Sequence, residues 1–406
     1  MRTELTLVIL LLVPALLLLG QSLSYGFMSD DFHLLYRVER EGFFYSWGGE
    51  EGSAFFRPVT VLSYFLDNRI WGLNPTGYHI TSILWHLLCS ALVYRLAQEL
   101  FRDRTAAFCS GYLFLLLTCH SESVAWISGR TDLIATAFAL WSMILLLRKN
   151  FLAVPVFATG LLAKESIIIV PLLWLLLLIV REDWRSRRST LLVLSGLMVS
   201  AFYTESRLLF SPGLASGLES TGISAVSIFE MAGNFLRYSF RVFVPPLPLF
   251  LRSFVLNNPL AVPVFLLALC SAMLIVLKKR GTEGKTKIAL LAGCFIVSLL
   301  PVILMKVSLF DSRSERFLYL PGVFAVLVLV QWVLIVIRAR RTAAIMLLLF
   351  ALFQGVFLLR SFGNWQIAGE MCREIVSSGS TETPDNYNGA YVFRNGYDEA
   401  VLILGE

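Results

Sequence analysis

Two adjacent acidic residues, Asp30 and Asp31, lie a few residues after the first apolar stretch of the sequence. Two neighbouring carboxylates can act as a general base and as a ligand for a cation or a substrate hydroxyl, because each raises the pKa of the other. Ser29 before them and the residues after them also make a good helix start, in which the acids serve as caps. The pattern alone leaves both roles open.

A second group of polar residues lies in the short segment 120–132. His120 and Glu122 are two residues apart and can face one ligand, and Arg130 can bind a phosphate through two parallel hydrogen bonds. An internal ion pair of Arg130 with Asp132 or Glu122 is the alternative.

Three further positions place cations beside apolar stretches. Lys164 and Glu165 form either a neutralised ion pair or a phosphate-binding lysine held by its neighbour. Arg313 and Arg316 suit a lipid-phosphate headgroup, and Arg57 is similar. Anchoring at a membrane surface is the alternative for these arginines.

All four histidines fall in the first third of the chain: His33, His79, His86 and His120. His79 and His86 are seven residues apart and share a helical face, and His86 is expected to be a core residue. No cofactor is indicated, although a divalent metal held with the acidic pair stays open. Glycine-rich phosphate loops, nucleophile elbows and paired cysteines are absent from the sequence.

The elements that must position these residues are membrane helices. Apolar residues make up 57% of the chain, charged residues only 15%, and the mean hydropathy is +0.73. The apolar residues are concentrated in runs. These runs must be helical in lipid, because each backbone polar group has to be satisfied within its own segment. The net charge of +6 lies mostly in short loops between the runs, which indicates membrane topology and not nucleic-acid binding.

We predict an all-α polytopic membrane protein with about 11 transmembrane helices and helices at the outer membrane surface. Basic loops are taken as cytoplasmic, so the N-terminus is predicted inside and the C-terminus outside. The predicted helices are 5–23, 78–96, 106–118, 133–147, 151–162, 167–180, 190–203, 259–277, 288–304, 317–337 and 343–359.

The predicted transmembrane domain covers residues 1–360. Its outer loops are 24–77, 120–132 and 305–316, and residues 228–251 are expected to form an amphipathic surface helix or a re-entrant pair. The tail, 361–406, has helix–turn–helix spacing and resembles part of one tetratricopeptide unit. A single unit cannot bury its own apolar face, so we expect the tail to dock on the membrane domain or on a partner.

An ordered set of motifs resembles the GT-C superfamily of membrane glycosyltransferases. The closest resemblance is to the transmembrane-and-tetratricopeptide O-mannosyltransferases and their bacterial relatives. The motifs are the acidic pair, Phe56-Arg57-Pro58, Gly77-Tyr78-His79, His120-Ser121-Glu122, Gly129-Arg130-Thr131-Asp132, Ala163-Lys164-Glu165, Pro245-Pro246-Leu247-Pro248 and Ser314-Glu315-Arg316. The chain departs from the family in carrying only about one tetratricopeptide unit, and 228–258 matches weakly.

The resemblance implies inverting transfer of a hexose, with mannose as one candidate, from a polyprenyl- or dolichyl-phosphate carrier to an acceptor hydroxyl. Asp31, or Asp30, would be the base, and other residues would bind the donor phosphate or support the site. The phosphate-binding residues are Arg130, Lys164, Arg313, Arg316 and Arg57, and the supporting residues are Glu122, His120, Glu165 and His79.

The resemblance also implies the partners: a lipid-linked sugar donor, membrane lipids, and a protein, glycan or lipid acceptor. We expect a multi-pass protein of a bacterial inner membrane, with the site on the periplasmic face. A transporter is the alternative from another class, although transporters place charges near the bilayer midplane. A non-catalytic scaffold that binds lipid carriers is the other alternative.

Overall fold

The computed structural model describes residues 19–43, 56–210, 228–247, 251–258, 260–264, 267, 271, 282–378, 390–392 and 401–403. Residues 5–18 of the predicted first helix, most of the predicted helix 259–277 and residues 211–227 lie outside these ranges. We number the described α-helices in chain order: α1 (Asp30–Glu41), α2 (Pro58–Trp71), α3 (Pro75–Phe101), α4 (Arg104–Leu116), α5 (Ser121–Ala125), α6 (Arg130–Leu147), α7 (Ala153–Leu161), α8 (Val170–Val180), α9 (Arg187–Phe210), α10 (Ile228–Arg241), α11 (Arg252–Asn257), α12 (Thr282–Leu299), α13 (Tyr319–Val336) and α14 (Arg340–Ser378).

Short 3-10 segments join several of these helices. They are Gly20–Ser24, Thr118–His120, Ile127–Gly129, Glu165–Ile169, Leu300–Val302 and Glu315–Leu318.

Within the described ranges, 5 helical stretches are long and apolar enough to cross a membrane. They are Pro75–Phe101, Ile127–Leu147, Gly284–Val302, Glu315–Val336 and Arg340–Arg373, and Glu165–Val180 is a shorter apolar stretch. The prediction of a helical membrane protein is confirmed at this level. The count of about 11 spans stays a prediction.

Local sequence signals set where the long helices begin. Pro75 occupies the first turn of α3, and the Asn74 side chain accepts a hydrogen bond from the Thr76 amide at 3.1 Å. Asp103 caps α4 in the same way, accepting from the Thr105 amide at 2.9 Å.

The core forms where α3 packs on α4 and α6, α14 packs on α4, and α12 packs on α13 and α8. A small residue brings α3 and α4 close together. A Cβ at Gly111 would lie 3.1 Å from the Ser90 carbonyl oxygen, and the Ser90 hydroxyl donates to the Gly111 carbonyl at 2.8 Å. Close backbone approach at small residues is the usual way for membrane helices to associate.

The basic loops meet at one end of the bundle. Arg148 pairs with Glu99 at 2.7 Å, and Lys149 pairs with Asp183 at 2.9 Å. Helix α6 ends at this basic end and begins at the opposite end with Arg130. The segment 120–132 therefore lies at the end of α6 that faces away from these basic loops.

Two predictions for the C-terminal region differ from the structure. Helix α14 continues to Ser378, beyond the predicted end of the last membrane helix at 359, because 360–378 contains no proline to stop it. Strands β1 (Ala390–Val392) and β2 (Val401–Ile403) pair antiparallel where a helix–turn–helix was predicted.

Residues 228–241, predicted as part of an amphipathic surface helix or a re-entrant pair, form the single helix α10. The prolines after Val244 cannot continue a helix. Helix α10 packs against the segment before α13, since Asn234 donates to the Ile303 carbonyl at 2.9 Å and Arg241 is buried in an ion pair with Glu315. Its position relative to a membrane stays a prediction.

Candidate active site

The segment from His120 to Asp132, which we call the hub, folds into two short helical turns between α4 and α6. The two turns lie directly against each other at Gly129. A Cβ at this position would lie only 2.8 Å from the Glu122 carbonyl oxygen and 3.1 Å from the Ser123 Cα. These are backbone atoms that cannot move aside, so the fold of the hub requires a glycine here.

The hub holds one member of the acidic pair. Asp31 is fully buried, and its Oδ1 accepts hydrogen bonds from the Ser128 amide at 2.8 Å and the Ser128 hydroxyl at 2.6 Å. Its Oδ2 accepts from the Met28 amide at 3.0 Å. Burial raises the pKa of Asp31 to about 7, while these hydrogen bonds act to lower it.

Asp30, by contrast, is exposed at the start of α1 and accepts a hydrogen bond from the Ser29 hydroxyl at 3.3 Å. Ser29 has a positive φ of 51°, which is strained for a residue other than glycine. Such strain is often found at functional sites. The sequence favoured Asp31 as the base, whereas in the structure Asp31 is buried and Asp30 is the exposed member of the pair.

Glu122 of the hub holds Arg316. Its carboxylate accepts from the Arg316 amide at 2.8 Å and from Nη1 of the guanidinium at 3.2 Å. Burial raises the pKa of Glu122 to about 7, and the Arg316 charge opposes this rise. The guanidinium also lies 4.6 Å from the centre of the Trp126 ring and is 29% exposed. Arg316 is therefore a fixed cation that a ligand can still approach.

One interpretation of the sequence paired Lys164 with Glu165. In the structure each of them pairs with another residue. Lys164 Nζ lies 2.6 Å from both carboxylate oxygens of Asp132 and is buried. Arg57 makes a two-point pair with Glu165, with Nε to Oε2 at 3.0 Å and Nη2 to Oε1 at 2.5 Å. Burial lowers the pKa of Lys164, and the Asp132 charge opposes this shift. Adjacent residues in sequence thus join separate parts of the fold.

Arg130 does not occupy the phosphate-binding position predicted for it, nor does it pair with Asp132 or Glu122. It is fully buried and donates to Asp67 at 2.5 Å, to Ser63 at 3.1 Å, to Ser82 at 3.0 Å and to the Tyr78 carbonyl at 2.6 Å. These contacts join the start of α6 to α2 and α3. We therefore assign Arg130 to positioning of the hub.

The remaining predicted site residues have other surroundings. Arg313 is exposed and pairs with the nearby Asp311 at 2.7 Å. His120 is buried against the rings of Phe114 and Tyr319, and burial lowers its pKa well below the ordinary value. His79 is also buried, with its ring edge against Tyr25.

The prediction that His86 is a core residue is confirmed. Its ring nitrogens lie 2.6 Å from the Tyr319 hydroxyl and 3.0 Å from the Leu115 carbonyl oxygen. In the part of the chain that the structure describes, no group of three or more His, Cys, Asp or Glu residues is arranged to hold a metal ion.

Several contacts of the hub could not be predicted from the sequence. Ser128, which holds Asp31, gives no sequence signal beyond its place in the loop. Asp67 is detectable as a carboxylate in the largely apolar run that becomes α2. Glu315 accepts from the Ser121 hydroxyl at 2.8 Å and pairs with buried Arg241, which the sequence placed in an ambiguous segment.

Comparison with known proteins gives matches over part of the chain. The family described as dolichyl-phosphate-mannose-protein mannosyltransferase matches residues 60–206, which contain the hub, Lys164 and Glu165. Protein O-mannosyl-transferase TMTC2 of Mus musculus is 37% identical over 89 residues, 22% of this chain and 11% of the relative. The Homo sapiens TMTC2 is 36% identical over 89 residues, with the same shares.

A longer match is to Protein O-mannosyl-transferase Tmtc2 of Drosophila melanogaster. It is 32% identical over 192 residues, which are 42% of this chain and 20% of the relative. The matched regions therefore span a fifth or less of the length of these relatives. Together the matches confirm the resemblance of this chain to the GT-C glycosyltransferases of the transmembrane-and-tetratricopeptide O-mannosyltransferase group.

Proposed function

We propose that this protein transfers a hexose from a polyprenyl- or dolichyl-phosphate carrier to an acceptor hydroxyl, with inversion at the anomeric carbon. One observation carries the proposal. Ser128 of the hub binds Asp31 of the acidic pair. The hub carboxylates Glu122 and Asp132 bind two cations, Arg316 and Lys164. A base for the acceptor and positive charge for the leaving phosphate are thereby held by a single segment.

Asp30 is the proposed base. Asp31 has no exposed surface and already accepts three hydrogen bonds, so it cannot reach an acceptor while it holds α1 on the hub. Asp30 is exposed and adjacent to it. It would take the proton of the acceptor hydroxyl as that oxygen attacks the anomeric carbon. Asp31 would hold its neighbour in place.

The same step breaks the bond between the anomeric carbon and the phosphate oxygen. The electron pair of that bond passes to the phosphate, which changes from a diester with one negative charge to a monoester with up to two. Fixed cations stabilise such developing charge without reorganisation. Arg316 and Arg57 are 29% and 21% exposed and are the proposed phosphate contacts. Lys164 is buried and would contribute its field, not a direct contact.

We further propose mannose as the sugar, dolichyl- or polyprenyl-phosphate as the carrier, and a protein hydroxyl as the acceptor. The names of the matching family and relatives support these choices. The grouping of basic loops at the opposite end of the bundle supports a site on the outer membrane face.

The test uses purified protein in lipid nanodiscs with labelled mannosyl, glucosyl and galactosyl polyprenyl phosphates of one carrier length. Serine- and threonine-containing peptides serve as acceptors, and the anomeric configuration of the product is read by nuclear magnetic resonance. Transfer from the mannosyl donor with an inverted product supports the proposal. Transfer with a retained configuration would overturn the inverting mechanism, and absence of transfer and donor hydrolysis from folded protein would overturn the activity.

A further inference from the structure

Helix α14 is longer than a membrane crossing requires. Its 39 residues correspond to roughly 58 Å of helix, whereas the apolar core of a bilayer is about 30 Å thick. The last part of α14 therefore extends beyond the bilayer core. We call residues 362–373 of this helix the overhang.

The overhang lies against the chain that leads into the acidic pair. The Tyr25 hydroxyl donates to the Phe362 carbonyl at 2.6 Å, and Arg373 Nη2 donates to the Ser24 carbonyl at 3.2 Å. These two hydrogen bonds lie at opposite ends of the overhang. They attach residues 24–25 to both ends of the overhang.

Between these bonds, two glycines let the backbones touch. A Cβ at Gly369 would lie 3.2 Å from the Gly26 amide nitrogen and 3.7 Å from Met28 Sδ. A Cβ at Gly26 would in turn lie 3.5 Å from the Gly369 carbonyl oxygen. A side chain at Gly369 would press on the Gly26 backbone, which would have to give by a few tenths of an ångström, and would touch Met28.

Met28 carries this contact to the site. It is buried with Cys372 and Trp126 in a small apolar cluster, and its carbonyl accepts from the Trp126 indole at 3.3 Å. Its amide donates to Asp31 Oδ2 at 3.0 Å. The position of Met28 therefore depends on the overhang, and Asp31 depends on Met28.

We propose that the overhang of α14 positions the acidic pair, and that Gly369 is a positioning residue for glycosyl transfer. This inference rests on the function proposed above. The overhang leads directly towards the tail, so displacement of this helix by a bound partner or acceptor would move the base relative to the hub.

The test compares Gly369→Ala with Gly363→Ala, since a Cβ at Gly363 has nothing within 4 Å and both substitutions lie in the same helix. A shift of a few tenths of an ångström at the base is expected to lower kcat about tenfold in Gly369→Ala, because rate depends steeply on the placement of reacting groups. The KM for donor should change less than kcat, since the Glu122 carboxylate and not the overhang holds the Arg316 guanidinium. Gly363→Ala should keep both values.

Hydrogen exchange at the Met28 and Ser128 amides gives a readout that does not need activity. Both amides donate to Asp31, and we expect both to exchange faster in Gly369→Ala only. Equal kinetics and equal exchange in the two variants would overturn the inference. Faster exchange with no transfer by the wild-type protein would instead keep the positioning contact and refute the proposed function.

If Gly369→Ala does not fold, Arg373→Gln replaces it, because this exposed side chain donates to the Ser24 carbonyl and so ties the overhang to residue 24. We expect the same direction of change in kcat and exchange, at a smaller size. No change in either readout would contradict the inference.

Discussion

Replacement of Lys164 by Met tests whether the charges around the hub are balanced as the structure indicates. The Lys164 and Asp132 side chains are 6% and 10% exposed, and the ammonium lies 2.6 Å from both carboxylate oxygens. Met fills most of the same volume but removes the charge. The Asp132 carboxylate would then be buried without its partner.

The expected loss follows from the burial of this pair. Removing one partner of a buried ion pair costs about 3–5 kcal/mol, which is roughly a hundredfold to a few thousandfold in the folding equilibrium. Lys149 and Asp183 form the matched control, because their side chains are 35% and 29% exposed. Lys149→Met should cost no more than about 1 kcal/mol.

The assay is denaturant unfolding of purified protein in mixed micelles, with the two single variants compared at one pH and one salt concentration. A double variant, Asp132→Leu with Lys164→Met, removes both charges. Its stability should recover most of the loss, because an apolar pair of similar volume has no unpaired charge to bury.

Equal losses in Lys164→Met and Lys149→Met would refute the reasoning, since burial would then make no difference. A double variant that is less stable than Lys164→Met would refute it as well. In that case the lysine would stabilise the fold by packing and not by neutralising Asp132.

Three further predictions concern the hub and its contacts. The pKa of Asp31 rises from 3.8 to about 7 in the fold, so its contribution to stability is full below pH 4 and is lost as pH rises through 7. Asp31→Asn should flatten this decline in unfolding free energy, whereas Asp30→Asn should not. Glu122→Gln should raise the donor KM several-fold with a smaller change in kcat, because the Arg316 guanidinium loses its charged partner. Gly129→Ala should lower the unfolding free energy by about 2 kcal/mol, because the new methyl group meets backbone.

Each of these predictions has a contradicting result. A pH profile unchanged by Asp31→Asn would show that its carboxylate is not buried in a neutral form. A donor KM unaffected by Glu122→Gln would remove Arg316 from the donor site. Gly129→Ala with the stability of Gly363→Ala, where the new Cβ meets nothing, would contradict the tight packing of the hub.

The helical membrane fold was predictable from composition, and several helix ends were predictable from local signals. Pro75 and Asn74 mark the start of α3, and Asp103 marks the start of α4. The end of α14 was not predictable from hydropathy, because the sequence becomes polar at Arg360 while the helix continues to Ser378. Hydropathy marks the end of the apolar stretch of a helix and not the end of the helix itself.

For the site, residue type predicted which side chains lie at the hub better than it predicted which partners they contact. Charged side chains are costly in free energy at a membrane boundary, which suggests that they have a role there. The structure does group four of them in or against the hub: Asp31, Glu122, Arg316 and Lys164. Arg130 was misassigned because its partner, Asp67, is 63 residues away in sequence. Pairing between distant charges depends on tertiary packing, which spacing along one chain does not encode.

The exposed and buried members of the acidic pair could not be told apart in the sequence either. Asp31 faces the hub because Ser128 and the Met28 amide surround it, and both contacts exist only in the folded chain. The sequence identifies a pair of acids, while the structure separates an anchor from an accessible carboxylate.

The most direct test of the account is labelled-sugar transfer by Asp30→Asn and by Glu39→Gln, which removes another exposed carboxylate of α1. Both proteins are compared with wild type at saturating mannosyl polyprenyl phosphate. We predict that Asp30→Asn lowers kcat at least about a hundredfold, as expected for loss of a general base, while Glu39→Gln keeps wild-type activity. Wild-type transfer by Asp30→Asn would contradict the assignment of Asp30 as the base.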